Sequence, residues 1–477
     1  MEEIVNGVLL GALCEQGDNS IAVYNPADDQ IIGYVPSLSS EEIYAKVAAS
    51  KIAQQSWQRT TASERSTTLK RWYDLLIENA DDLARIMTLE QGKPLPEAKG
   101  EVMYGAGFVQ WFAEEGKRTY GDTIPTPAGN KRIMTIKQPI GVTAAITPWN
   151  FPIAMLTRKV APALAAGCSC IVKPANQTPI SAYAIAELAY QAGLPRDLLL
   201  VVNSHSSVMV GEIFCNHEEI NKLSFTGSTE VGRALIKQTA DTVKRTSMEL
   251  GGNAPFIVFE DADIDAAVAG AIASKFRNAG QTCVCANRLY VHNKIYDQFV
   301  DRFITAVSQL KVGNGLEQGV AIGPVIDQKA KNSILKLIDA AVTQGAQVKV
   351  GGHGLEGNYI QPTVLTEVRK EMSIVQQEIF GPVAPVIRFD CDEDLLEQAN
   401  DTIYGLASYF YTQNISRAFY IAEQLEYGMV GINEGIISTE VAPFGGMKQS
   451  GNGREGAKEG LEEYLETKYV CIGGLDR

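Results

Sequence analysis

Apolar residues recur at helical spacing from about Ser39 to Tyr120, as in Ile43-Val47-Ile52 and in Leu75-Leu76 with Leu83. Inside that stretch Thr61-Ala62-Ser63-Glu64 reads as a capping box that opens a helix. Gly121 to Asn130, rich in Gly, Pro and Thr, ends the pattern. From about Ile133 the chain alternates short apolar runs with helical spacing. Val142-Thr143-Ala144-Ala145-Ile146 leads to a helix near Ala154 to Ala165, and Cys170-Ile171-Val172 to one from Ile180 to Tyr190. Leu199-Leu200-Val201-Val202 leads to Val208 to Phe214, and Leu223-Ser224-Phe225 to Val231 to Gln238. Four successive β-then-α units predict a parallel, doubly wound sheet.

Thr246 to Gly252, ending in two glycines, reads as a hinge into a second α/β domain. That domain opens with a strand, Phe256-Ile257-Val258-Phe259, and a helix from Ile264 to Phe276. Helical Tyr296 to Leu310 and more β/α alternation follow to about Gly428. The last thirty or so residues hold a Gly-rich loop, a short helix and the apolar strand Tyr469-Val470-Cys471-Ile472. A terminal strand of that kind wants a partner edge, and another subunit would supply one.

Composition narrows the class. A chain of 477 residues should divide into two or three domains. Acidic residues outnumber basic ones 56 to 42, for a net charge of −14, and no block of five or six like charges occurs. Nucleic acid and anionic membrane are therefore poor partners, and an anionic small molecule would need locally placed arginines. The eight cysteines are too sparse for a disulfide framework. Met1-Glu2-Glu3 is acidic where a signal peptide is basic, and Val160 to Val172 falls short of the ~18 residues of a membrane span. A reduced, cytoplasmic setting is expected.

The chemistry concentrates in three segments. Gly280-Gln281-Thr282-Cys283-Val284-Cys285 offers a thiol, Pro148-Trp149-Asn150-Phe151-Pro152 an amide donor, and Glu249-Leu250-Gly251-Gly252 a carboxylate. Nucleophile, oxyanion donor and general base are what acyl chemistry through a thioester requires. Each has a bland counterpart. A free cysteine is often a small core residue, and a lone Glu at a strand end is often a surface charge. Arg158 and Arg277 would ordinarily be solvated helix faces, yet two guanidiniums near a thiol could fork onto a substrate carboxylate. A metal at Cys283/Cys285 is disfavoured, because the spacing is C-x-C and none of the four histidines lies within five residues. Cys285, two residues from the candidate nucleophile, is a redox candidate.

Two segments compete for a phosphate. Gly451-Asn452-Gly453-Arg454-Glu455-Gly456 matches G-x-G-x-x-G by letter, but no strand precedes it, so a flexible turn entering the last helix is expected. In Phe225-Thr226-Gly227-Ser228-Thr229-Glu230-Val231-Gly232 a strand ends, Gly227 turns the chain and Ser228 opens a helix. Free amides there can face a pyrophosphate, or Ser228 can be an ordinary N-cap.

Together with Lys173-Pro174-Ala175 and Glu378-Ile379-Phe380-Gly381-Pro382, these segments resemble the aldehyde dehydrogenase family along essentially the whole chain. Within it the likeness is to the succinate-semialdehyde dehydrogenases, on Arg158 in Met155-Leu156-Thr157-Arg158-Lys159-Val160, Arg277 in Phe276-Arg277-Asn278, and Ser438 in Gly435-Ile436-Ile437-Ser438-Thr439-Glu440. The resemblance implies a Rossmann-like NAD(P)-binding domain (residues 1–121 and 140–251), an α/β catalytic domain (252–446) and a small β oligomerisation element (122–139 and 447–477). It implies Cys283 as nucleophile, Asn150 as oxyanion donor and Glu249 as base. Lys173 and Glu378 would hold ribose hydroxyls and Trp149 and Ser228 the pyrophosphate, with Thr226, Gly227, Gly232, Leu250 and Phe380 completing the cofactor site. Arg158, Arg277 and Ser438 would hold a small anionic aldehyde, succinate semialdehyde first and glutarate semialdehyde as the rival. Asn176 replaces the glutamate frequent in NAD-preferring relatives, which favours NADP or dual use. A homodimer or homotetramer is expected.

Overall fold

Five strands of one sheet pair in parallel, and the helices between them cover its faces. The structure, a computed structural model, describes residues 16–475, so Met1-Glu2-Glu3 and Cys14 lie outside the described residues. Strands Val142–Ile146, Ser169–Lys173, Leu199–Val201, Ile220–Thr226 and Arg245–Glu249 alternate with helices Ala154–Ala166, Pro179–Gln191, Ser207–Asn216 and Thr229–Thr239. Their spatial order begins at Val142–Ile146, runs outward through Ser169–Lys173 to Leu199–Val201, then resumes on the other side with Ile220–Thr226 and Arg245–Glu249. The order therefore reverses between Val142–Ile146 and Ile220–Thr226, where Ile146 pairs with Phe225. Such a reversal opens a crevice beyond the carboxyl ends of the strands, the usual ligand position in open α/β sheets.

Both central strands are buried on both faces, which explains why they read as continuous apolar runs rather than alternating ones. The four predicted β-then-α units are all present. The predicted hinge is shorter than expected: Arg245–Glu249 is a strand of the first sheet and Ala254–Val258 one of the second, so only residues 250–253 cross between them. The second sheet has seven strands, with Ala254–Val258 between Ala286–His292 and Ala407–Tyr411.

Four helices, Ser40–Trp57, Ala62–Glu78, Ala80–Gln91 and Leu95–Glu115, fill the predicted helical stretch. The expected capping box at Thr61 forms, with Glu64 returning to the cap. One apolar assignment there is corrected. Ile52 faces solvent, because a step of nine residues from Ile43 turns the helix by half a revolution. The inward positions are Ser50 and Gln54, whose side chains bond Ser169 Oγ at 2.8 Å and Gly167 O at 3.2 Å.

The last strand, Leu465–Ile472, is longer than expected and finds its partner inside the chain. It pairs antiparallel with Arg132–Pro139, which in turn pairs with Thr123–Ile124. Its other edge pairs with no strand among the described residues. The Gly-rich loop before it is pinned rather than flexible. Gly451–Asn452 pairs with Met248–Glu249 as an antiparallel edge of the first sheet, and helix Ala457–Glu462 follows.

Candidate active site

After helix Ile264–Phe276 and Arg277 come three consecutive residues with positive φ, Asn278 at 52°, Ala279 at 54° and Gly280 at 73°. This turn delivers Cys283 into the crevice. Left-handed geometry at a non-glycine residue costs of order 1–3 kcal/mol and persists only where the surroundings enforce it. Here they do. Asn278 N donates to Glu97 Oε2 at 2.7 Å, Asn278 Oδ1 accepts from Gln91 Nε2 at 2.9 Å, and Gln281 Oε1 accepts from Ile326 N at 2.9 Å. A Cβ at Gly252 would lie 2.3 Å from Cys283 O, so the glycine lets the Glu249 strand end approach the cysteine loop.

Asn150 lies at the carboxyl end of the neighbouring central strand and is 5% exposed. Its Nδ2 donates to Gln281 O at 2.9 Å, which spends one amide hydrogen and leaves the second for another acceptor. Asn150, Cys283, Arg158, Arg277, Ser438 and Tyr104 all line one cavity of about 260 Å³. Cys285 does not. Its buried thiol faces Gly280 O at 3.3 Å and Lys275 Nζ at 3.8 Å, and a bridge to Cys283 would have to give up both contacts.

Arg158 and Glu249 are both nearly fully buried, contrary to their reading as surface charges. Arg158 forms an ion pair with Glu455, which also accepts from Lys159, and its guanidinium lies 4.4 Å from the centre of the Phe444 ring. Besides Glu455, the Tyr104 hydroxyl is the group among the described residues that bonds it, which leaves guanidinium donors free. An unsatisfied buried donor costs about 1–3 kcal/mol, more for a charged group, so this cavity is built for an acceptor. Burial opposes the Arg158 charge, but Glu455 and its neighbours raise its pKa above the ordinary value. Glu455 in turn stays below the usual carboxylate range despite burial, because Arg158 and Lys159 face it.

The Glu249 carboxylate has no hydrogen-bond partner among the described residues either. Burial, reinforced by the Glu455 charge, pushes its pKa well above the ordinary value. Burial pushes the Cys283 thiol up to about 12, with Glu378 and Glu249 adding to the shift and Arg158 opposing it. Burial thus disfavours both the thiolate and the carboxylate, and each anion opposes formation of the other.

The cofactor candidates divide. Trp149, Thr226, Gly227, Ser228, Leu250, Glu378 and Phe380 line the same cavity, with Trp149 edge-on to Phe380 at 5.5 Å. Ser228 is an N-cap, accepting from Val231 N at 3.4 Å, and it lines the cavity. A Cβ at Gly232 would lie 2.4 Å from Leu250, which makes this glycine a packing requirement for the helix start. Thr226 Oγ1 is buried without a partner among the described residues. Glu378 accepts from Gly252 N at 3.1 Å, and burial raises its pKa to about 7. Lys173 donates to Pro174 O at 3.2 Å, and burial lowers its pKa to about 8. These orphaned and under-used polar groups fit a dinucleotide with hydroxyl and phosphate groups. Asn176 is set apart. Its Nδ2 donates to Ser204 O at 3.0 Å and its Oδ1 accepts from Asn203 Nδ2 at 2.9 Å, which leaves one amide hydrogen for another acceptor.

A family model described as the aldehyde dehydrogenase family matches residues 14–470. The chain belongs to the aldehyde dehydrogenase family. It is 56% identical to the Escherichia coli protein named succinate-semialdehyde dehydrogenase NADP(+) GabD, over 99% of this chain and 98% of that one. It is 55% identical to a glutarate-semialdehyde dehydrogenase of Pseudomonas putida, over 98% and 97% of the two chains. A crystal structure of succinate-semialdehyde dehydrogenase from Burkholderia pseudomallei superposes with a TM-score of 0.95 at 53% identity, covering 96% of this chain and 95% of that one. The α/β architecture with a Rossmann-like sheet is that of the family.

Several residues of this aldehyde dehydrogenase site escaped sequence reasoning. Glu455 sits inside the G-x-G-x-x-G lookalike, where the glycines drew attention and the acid did not. Lys159 was passed over beside Arg158, though two adjacent cations on an apolar helix were a signal that an acid must come from elsewhere. Tyr104, Lys93, Glu97 and Glu101 belong to the helical stretch, and no local pattern separates their inward polar groups from a solvated face.

Proposed function

We propose that the protein oxidises succinate semialdehyde to succinate with NADP, or with both NADP and NAD, through a thiohemiacetal and a thioester on Cys283. What carries the substrate assignment is the pair of arginines, Arg158 with free guanidinium donors and Arg277 beside it, in the same cavity as Cys283. A substrate with a carboxylate at the far end from its aldehyde satisfies both ends of that cavity, and Ser438 adds a hydroxyl. The names of the close relatives support the same class of substrate.

In this scheme the Cys283 thiol gives its proton to water and its sulfur attacks the aldehyde carbon. The free amide hydrogen of Asn150 and the Cys283 backbone N–H receive the oxyanion; losing one such donor typically costs about 10² to 10³ in rate. NAD(P), when held there, would supply the hydride acceptor needed for the thiohemiacetal to become a thioester. Sulfur then carries no charge, which relieves the opposition to an ionised Glu249 and frees it to activate water. Trp149, Ser228, Thr226, Lys173 and Glu378 hold the cofactor. Asn176 brings no carboxylate to repel a 2′-phosphate, which favours NADP.

Residues 1–121 and 140–251 serve as the cofactor domain, 252–446 as the catalytic domain, and 122–139 with 447–477 as the oligomerisation element. Exposed Ile124, Met134, Ile136, Tyr469 and Ile472 on the small sheet suit a homodimer or homotetramer contact. Seven unpaired cysteines among the described residues suit a reduced cytoplasmic setting. No helix among the described residues is long and apolar enough to cross a membrane.

Steady-state kinetics with succinate semialdehyde, glutarate semialdehyde and butanal, each with NADP and NAD, test this function. The highest kcat/KM should belong to succinate semialdehyde with NADP. A higher value for glutarate semialdehyde would shift the assignment by one carbon, and parity with butanal would reject an anionic substrate.

A further inference from the structure

Lys93 and Glu101 are buried charges with 0% and 1% side-chain exposure, paired at 2.5 Å, and neither lines the reaction cavity. Burying two ions costs several kcal/mol each, and apolar residues in their place are often no less stable. Their contacts lead to the reaction centre. Lys93 Nζ donates to Asn150 O at 2.7 Å, and Asn278 Nδ2 donates to the same oxygen at 2.9 Å. Glu101 Oε1 accepts from Ile153 N at 3.0 Å and Ala154 N at 3.2 Å, the amides that open helix Ala154–Ala166. Residues 150–154 are thus held at both ends by one ion pair.

The same lysine touches the substrate side. Its ammonium lies 3.9 Å from the centre of the Phe151 ring, and the Arg277 guanidinium lies 5.2 Å from that centre. Burial lowers the Lys93 pKa while Glu101 and Glu97 oppose the shift. The chain turn after Gly92, at φ 93°, and Lys93 N donating to Gln91 Oε1 at 3.0 Å fix the lysine's backbone.

We propose that the Lys93–Glu101 pair is a positioning device for the oxyanion donor, fixing the Asn150 main chain so that its side-chain amide points from Gln281 O into the cavity. Both residues act through Asn150 and touch neither substrate nor cofactor. The inference rests on the proposed thioester chemistry but not on the identity of the aldehyde.

A double-mutant cycle separates positioning from general support. Lys93→Met keeps length and apolar bulk while removing both hydrogen bonds. It should lower kcat by about ten- to a hundredfold, the scale of a displaced catalytic group, equally for succinate semialdehyde and butanal, with the KM for NADP unchanged. In an Asn150→Ala background the same substitution should lower kcat less than about threefold, because residues acting through one another are not additive. Multiplying losses, or a Lys93→Met enzyme with unchanged kcat, would overturn the proposal. Glu101→Gln, which keeps an acceptor for the Ile153 and Ala154 amides, gives a second cycle should Lys93→Met fail to fold, with the same criteria. Because butanal carries no carboxylate, its arm of the cycle stays decisive even if the anionic-substrate assignment fails.

Discussion

Arg277→Gln should reduce kcat/KM for succinate semialdehyde by about ten- to thirtyfold and leave butanal nearly untouched. A net charge-assisted hydrogen bond contributes about 1.5–3 kcal/mol, and 1.36 kcal/mol is tenfold in rate. Arg277 is half-buried, so solvent screening holds the effect to the lower part of that range. Its removal withdraws one of the charges that oppose the burial-driven rise of the Glu97 pKa, while Lys93 and the Asn278 amide continue to oppose it. Arg158 is the poorer probe, since its loss would leave Glu455 facing Lys159 alone and empty the space beside Phe444. The assay is initial-rate NADPH formation with the two four-carbon aldehydes at fixed NADP. Equal losses on both would mean that Arg277 merely supports the cysteine loop. No loss on either would place the substrate carboxylate elsewhere.

Cys283→Ala should abolish turnover while Cys285→Ala keeps most of it under reducing conditions, and at neutral pH iodoacetamide should label Cys283 more slowly than the exposed Cys471. Because burial holds the Cys283 thiol near 12, its labelling should accelerate about tenfold per pH unit from 6 to 9; a plateau near neutrality would contradict it. Asn176→Glu should lower the ratio of kcat/KM for NADP over NAD at least about tenfold by placing a like charge near the 2′-phosphate; an unchanged ratio would remove Asn176 from cofactor choice. Glu90, accepting from Ile180 N and Ser181 N, has its pKa raised to about 8 by burial. Its proton is bound more tightly in the folded than in the unfolded chain, so its contribution to stability falls as pH rises from 4.5 to 8. Glu90→Gln should flatten the decline of Tm across that window, and parallel profiles would show that Glu90 carries no such load.

The sequence made the sheet and the cavity legible for the same reason. Each functional segment follows a strand or helix whose apolar pattern is unambiguous, so Asn150, Thr226 to Ser228, Glu249 and Cys283 could be placed at element ends before their contacts were known. Glu455 could not. It is held against Arg158 by strand Gly451–Asn452, a two-residue pairing with no periodicity of its own. Lys93 and Glu101 were equally silent, because a lysine in the linker before a helix and a glutamate on that helix look like surface charges until the facing segment is known. Ile52 shows the converse, an apolar residue counted in the helical spacing although its phase around the helix points outward.

The sharpest test of the covalent account is intact-mass analysis of Glu249→Gln after a single turnover with NADP and succinate semialdehyde. Cys283 should form NADPH in a stoichiometric burst and then retain the acyl group, because the carboxylate that activates water is missing. A succinyl adduct on the Cys283 peptide, absent from wild type quenched at the same time, is the predicted result. A burst without an adduct, or an adduct on Cys285, would contradict it.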